Sequence, residues 1–237
     1  MGATATVFVI SDLIDKTFVD QPVMSEQMLR SLRSKGWEIG SHTRTHPHLT
    51  KLSDLQVDAE LRDSKKFLEK ILSAKVASFA YPFGDYDARI KAIAARHYTF
   101  ARSGSWYPPL RVNSLHPRDR MDLRAVNAYE HPVFLPLHLF TIHVAGKIRY
   151  RTRKQRNPNV KRGWINPSAK MLEGRFVKKW LRNLRKDQWL ILTFHNISEN
   201  PLSTPMPSIG LAEFREIVRA IDQNAEVVNM GEAVEST

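Results

Sequence analysis

"WEIGSHTRTHPHLT", residues Trp37 to Thr50, holds three of the chain's nine histidines within seven positions. Trp37 to Gly40 reads as a short strand, and Gly40 with Ser41 permits a tight exit from it. His42 and His46 follow, four residues apart, and Pro47 ends any helical turn. Three residues after Thr50 the pattern changes again. Ser53 and Gln56 stand at capping-box spacing, and Leu52 with Val57 can form the hydrophobic staple. Val57, Leu61, Leu68, Ile71 and Leu72 then recur at helical spacing, which predicts an amphipathic helix from Asp54 to Leu72. A strand that hands over to a polar loop and then to a helix is one β/α unit of a parallel sheet.

The same alternation extends in both directions. Thr4 to Ile10 is a β-branched strand, and a short helix follows, with Ser25 as its cap and Gly36 as its stop. Val76 to Tyr81 is a strand ending in the turn "PFGD". A helix over Asp87 to Arg96 leads into the strand "YTFAR", which ends at Arg102. The stretch from Ser103 to Pro167 is proline-rich and weakly periodic, so no element is placed there. A helix near Gly174 to Arg185 precedes the strand "WLILTF", Trp189 to Phe194, which runs into His195. The close is a helix over Leu211 to Ile221, with Leu211, Phe214, Val218 and Ile221 on one face, then a strand "EVVNM". In parallel α/β folds the chemistry collects at the carboxyl ends of the strands. Asp12, His42 with His46, Gly84 with Asp85, Arg102 and His195 each lie just beyond a predicted strand.

Composition narrows the function classes. The chain has 237 residues, enough for one sizeable core, and we read it as a single domain over 1–237 with a basic insertion at about 130–186. It has no cysteine, which excludes disulfides and thiolate metal sites without fixing a compartment. No apolar run reaches spanning length, so no transmembrane segment is expected. The most apolar stretch, Pro132 to Gly146, is broken by two prolines and two histidines and reads as packing surface. The N-terminus has no signal-peptide pattern, and localisation stays open. Of the net charge of +12, a balance of +14 lies between Lys147 and Lys186, where 15 Lys and Arg meet the single acid Glu173. Such a block either forms a solvated basic face or binds an anionic polymer.

Two imidazoles one turn apart can offer two nitrogens to one cation, zinc above all, although the spacing also occurs between unrelated histidines. A hydrolytic zinc site takes a third protein ligand, usually a carboxylate, and leaves one position open for water. It also needs a base for that water and an acid for the leaving group, a role for which His195 is the candidate.

"ATVFVI", "GWEIGSHTRTHPHLTKLS", "FAYPFGDYD" and "LILTFHNI" together resemble the motifs of the polysaccharide deacetylase family, carbohydrate esterase family 4. The second is similar, almost residue for residue, to its metal-binding motif His-Ser/Thr-x-x-His-Pro-x-Leu-Thr. The resemblance implies a distorted (β/α) barrel of about seven strands and removal of acetyl groups from N-acetylated oligo- or polysaccharide. It assigns His42 and His46 to a divalent metal, zinc, and His195 to the general acid. The backbone at Phe83 and Gly84 would line the oxyanion site, Leu192 the pocket for the acetyl methyl, and His48 would be no ligand.

There are three departures. The family's Thr-Phe-Asp-Asp-Gly motif, which supplies the base and the third ligand, belongs on a strand before "ATVFVI" and is absent. The resemblance therefore implies a missing first strand and a carboxylate before Met1, with Asp12, Asp85 and Asp87 as substitutes of last resort. A barrel opened in this way is expected to be poorly soluble or oligomeric. Ala80 stands where many members carry arginine, and Arg102 at the next strand end can supply that charge. The family's Trp motif is not evident in the middle of the chain. The alternative to an active deacetylase is a truncated relative that binds carbohydrate or serves as a scaffold.

Overall fold

The computed structural model describes residues 4–18, 21–105, 113–114, 117, 119–127, 188–200, 208–223 and 225–235. The basic segment 147–186, the apolar stretch Pro132 to Gly146 and the helix expected near Gly174 to Arg185 lie outside the described residues.

In chain order, β1 (Thr6–Val9) is followed by the small antiparallel pair β2 (Thr17–Phe18) and β3 (Gln21–Pro22), α1 (Glu26–Ser34) and β4 (Glu38–Ser41). Then come α2 (Asp54–Leu72), β5 (Ser78–Ala80), α3 (Ala88–Ala94) and β6 (Phe100–Ser105). β7 (Asn113–Ser114), β8 (Leu123–Asn127), β9 (Gln188–Trp189), β10 (Ile191–Thr193), β11 (Asn196–Ser198) and β12 (Ser208–Gly210) lead to α4 (Leu211–Asp222) and α5 (Met230–Glu235). Among the described residues, six strands form one parallel sheet in the order β1-β4-β5-β6-β8-β10. Parallel neighbours need crossovers, and α1, α2 and α3 supply them over one face. This is the expected α/β architecture, an open arc of a distorted barrel. Among the described residues no helix is long and apolar enough to cross a membrane.

The helices form where the sequence caps them. Ser25 accepts the Met28 amide and starts α1. Ser53 accepts the Gln56 amide while Gln56 accepts the Ser53 amide, so α2 has a complete capping box. All five residues of its predicted face are buried, and they pack with Leu29, Ile39, Phe79, Tyr81 and Ile90 into the main core between helices and sheet.

Four expectations change. "LRAVN", Leu123 to Asn127, is a central strand, β8, inside the stretch left without elements. The predicted strand Trp189 to Phe194 is two: Trp189 pairs antiparallel with Asn113, whereas Ile191 to Thr193 joins β8 in the parallel sheet. On α4 the fully buried positions are Ile217 and Ala220, with the four predicted face residues only partly buried around them. Finally, "EVVNM" is no strand. Asn229 accepts the Glu232 amide at 2.9 Å and donates its own amide to Glu232 at 3.0 Å, so a second capping box opens α5 at Met230. A reciprocal cap satisfies two helix-end donors, which outweighs the strand preference of two valines.

α5 fastens the end of the chain to its beginning. The Thr6 hydroxyl accepts the Met230 amide at 2.8 Å and donates to Glu38 at 2.8 Å, and Glu38 accepts the Gly231 amide at 2.9 Å. Thr6 and Glu38 start β1 and β4, so α5 lies at the amino end of the sheet. There Met230 and Val234 pack with Phe100 and Leu123 in a second core. The opposite, carboxyl end is left for chemistry.

Candidate functional site

Strand register sets the height of each side chain on the rim. Ser41 pairs with Phe79, and Ala80 with Arg102, so His42, Ala80 and Arg102 share one rung across three neighbouring strands. The strands can pack this tightly because Gly40 has no side chain: a Cβ there would stand 2.4 Å from the Ser78 hydroxyl and 2.7 Å from the Phe8 ring.

His42 leaves β4 with its amide bonded to the Val9 carbonyl at 2.8 Å. Its Nδ1 lies 2.8 Å from the Ala80 carbonyl. A carbonyl only accepts, so Nδ1 carries the proton and Nε2 presents a lone pair. An outer partner that fixes the tautomer in this way is the usual support of a metal-ligating histidine. The chain then turns sharply, with Thr43 at φ 68° and His46 at φ 64°, both in the left-handed region that β-branched residues rarely enter. The Thr43 hydroxyl accepts the His46 amide at 2.9 Å and closes the turn. As a result the two Nε2 atoms meet at 3.2 Å. Two nitrogens bound to one tetrahedral zinc at ~2.0–2.1 Å stand about 3.3 Å apart. The pair has the spacing of two ligands of one ion.

Electrostatics keep these rings neutral. Burial lowers the pKa of His42 well below 6.5, and the Arg102 guanidinium and His46 add to the effect. Burial also lowers His46, with help from His48 and Arg102. Neutral imidazole is the form that binds a metal, so neither ring has to lose a positive charge at neutral pH.

His195 follows β10 at the bend before β11. Although the residue keeps an exposed side, the crowding of protein around its ring, together with Arg102 and His46, holds its pKa below the ordinary range. Its electrostatic coupling to both groups places it at the same rim. Arg102 is buried at 6% exposure, with its guanidinium 5.1 Å from the centre of the Phe8 ring. Phe83 and Gly84 form the turn after β5, both at positive φ, 58° and 66°. The Phe83 ring stacks on His48 at 3.9 Å and tilts against His46 at 4.6 Å. Leu192 lies partly buried in β10.

The substitute carboxylates are committed elsewhere. Asp12 pairs with Arg44 at 3.4 Å, Asp85 accepts the Thr50 hydroxyl and faces His48, and Asp87 caps α3 through the Ile90 amide. Among the described residues, no cluster of three His, Cys, Asp or Glu side chains could hold a metal. Sequence reading passed over two supports, the Ala80 carbonyl and the Thr43 hydroxyl. The first carries no residue signature at all. The second is the Ser/Thr of the His-Ser/Thr-x-x-His pattern and was in view.

Residues 1–100 match the family model described as polysaccharide deacetylase. Chitin deacetylase 1 of Cryptococcus neoformans var. grubii is 37% identical over 70 residues, which is 30% of this chain and 15% of that protein. The Bacillus subtilis protein YxkH is 29% identical over 86 residues, 36% of this chain and 29% of its own length. The chain thus spans less than a third of the length of the curated relatives it matches. In fold it is similar to the CE4 domain of a multidomain xylanase from the hindgut metagenome of Trinervitermes trinervoides, with a TM-score of 0.53 at 13% identity over 99% of this chain and 78% of that one. The part of the chain that is similar to the polysaccharide deacetylase family, residues 1–100, is the part that holds both rim histidines and the turn after β5.

Proposed function

We propose that the chain supplies the histidine half of a metal-dependent hydrolase that removes acetyl groups from N-acetylated oligo- or polysaccharide. The approach of His42 and His46 to 3.2 Å at the carboxyl rim, inside the family match, carries this reading. His42 and His46 would hold the metal, zinc by the preference of imidazole. When bound, it supplies an acidified water and polarises the acetyl carbonyl. Held neutral with a lowered pKa, His195 is a strong acid once protonated, suited to delivering a proton to the departing amine nitrogen. The Gly84 amide is bonded to the Tyr81 carbonyl within the turn, so the oxyanion contact is assigned to the Phe83 backbone and a conformational role to Gly84. Leu192 forms an apolar wall for the acetyl methyl. Arg102 lends positive charge to the developing anion.

The test is acetate release from an N-acetylated chito-oligosaccharide by the protein carrying this chain. Release should require zinc and fall at least ~100-fold in His42→Ala and in His195→Ala. Unchanged release in both variants would reject the assignment. A second reading is a carbohydrate-binding relative without catalysis, compatible with a rim where, among the described residues, no three His, Cys, Asp or Glu side chains could hold a metal. It predicts sugar binding with no acetate release when zinc is present.

A further inference from the structure

Glu60 lies on α2, away from the rim, yet its carboxylate reaches back to the loop between the two histidines. Oε2 accepts the Arg44 amide at 3.0 Å and the Thr45 amide at 2.9 Å, and Oε1 accepts the Thr45 hydroxyl at 2.9 Å. These three bonds fall on the two residues between Thr43 and His46, the two loop positions at positive φ. Left-handed backbone at a threonine and a histidine persists only where the surroundings over-determine it. Three further contacts fix the frame: the buried Ser41–Ser64 hydroxyl bond at 2.8 Å ties β4 to α2, and the Ser11 and Asp12 amides donate to the Thr43 and Arg44 carbonyls at 3.2 and 3.0 Å. Within that frame the Glu60 carboxylate grips the turn from α2, in addition to the bond from the His46 amide to the Thr43 hydroxyl inside it. Charge-assisted bonds to backbone N–H groups are also the stronger kind.

We infer that Glu60 is a positioning residue for the His42–His46 pair: by clamping Arg44 and Thr45 it holds His46 in its left-handed conformation and keeps the two Nε2 atoms in register. The part played by the pair in metal binding rests on the proposed function, whereas the clamp itself does not.

The test begins with hydrogen–deuterium exchange on the metal-free chain, comparing wild type with Glu60→Ala, Glu60→Gln and Glu69→Ala. Glu69 is an α2 carboxylate that accepts the Val76 amide at 3.1 Å, far along the helix from the loop, and so controls for general loss of stability. In Glu60→Ala the His46 amide, which Glu60 does not touch, should exchange at least ~10-fold faster, with Glu60→Gln intermediate and Glu69→Ala unchanged. If His46 protection is unchanged in Glu60→Ala, or falls equally in Glu69→Ala, the inference is overturned. Zinc titration of the same variants then separates the two claims. Loss of about 10-fold in affinity for zinc in Glu60→Ala extends the clamp to metal binding. Faster exchange at His46 in a chain whose wild type binds no zinc upholds the clamp and rejects the proposed function.

Discussion

At the scale of single residues, the rim is built from backbone conformations that side chains were chosen to tolerate. Gly84 sits at φ 66°, and a Cβ on it would stand 2.8 Å from the Gly104 carbonyl oxygen. Gly84→Ala therefore meets both a disfavoured conformation and a neighbouring strand, and should cost about 2 kcal/mol in urea unfolding. A protein as stable as wild type would show that the turn is not so constrained. His42 gives a pH signature. Its folded pKa lies well below 6.5, so between the two values the unfolded chain binds a proton that the folded chain does not. Stability from this group is complete above about pH 6.5 and is lost as pH falls towards the folded value. The thermal midpoint of the metal-free chain should drop from pH 7 to pH 5, and His42→Asn should flatten part of that drop. A midpoint that rises on acidification would contradict the assignment. His42, His46 and His195 were legible as candidates because strand, loop and spacing coincide. Glu60 was not, since a glutamate on a polar helix face has no distinguishing neighbour in sequence.

At the scale of elements, what the chain states locally is what the fold keeps. α2 begins and ends as its caps and apolar face require, because nothing in tertiary structure opposes them. Ser53→Ala should remove about 1 kcal/mol of stability, measured by chemical denaturation, while leaving the rim histidines in place. α5 repeats the lesson where a strand "EVVNM" was expected: Asn229 and Glu232 stand at capping-box spacing, and in the structure their reciprocal bonds open a helix. β8 was illegible for another reason. Its five residues lie among prolines and arginines without alternation, and its pairing with β6 and β10 is set by residues far off in sequence.

At the scale of the whole molecule, the two ends of the sheet do different work. The amino end is sealed by α5 through Thr6 and Glu38, which frees the carboxyl end to gather polar groups from successive strands. Thr6→Val would leave the Met230 amide without its acceptor and should cost ~1–3 kcal/mol, with α5 fraying first in hydrogen exchange. No change in α5 protection would show that apolar packing alone holds it. The α/β class and the convergence of strand ends could be read from the alternation of patterns. The stagger of register that places His42, Ala80 and Arg102 on one rung could not, because a one-residue slip leaves the same sequence pattern.

The central claim is that His42 and His46 offer their Nε2 atoms to one metal ion. In the metal-free chain, with the His42 Nδ1 proton held by Ala80, the 3.2 Å contact requires His46 to donate from Nε2. Nitrogen-15 spectra of the histidine rings during zinc titration test this directly. The account predicts that His42 keeps its Nδ1 proton throughout, while the His46 proton moves from Nε2 to Nδ1 as both Nε2 resonances shift together. Zinc that leaves both rings unperturbed, or that binds at Nδ1 of His42, would contradict it.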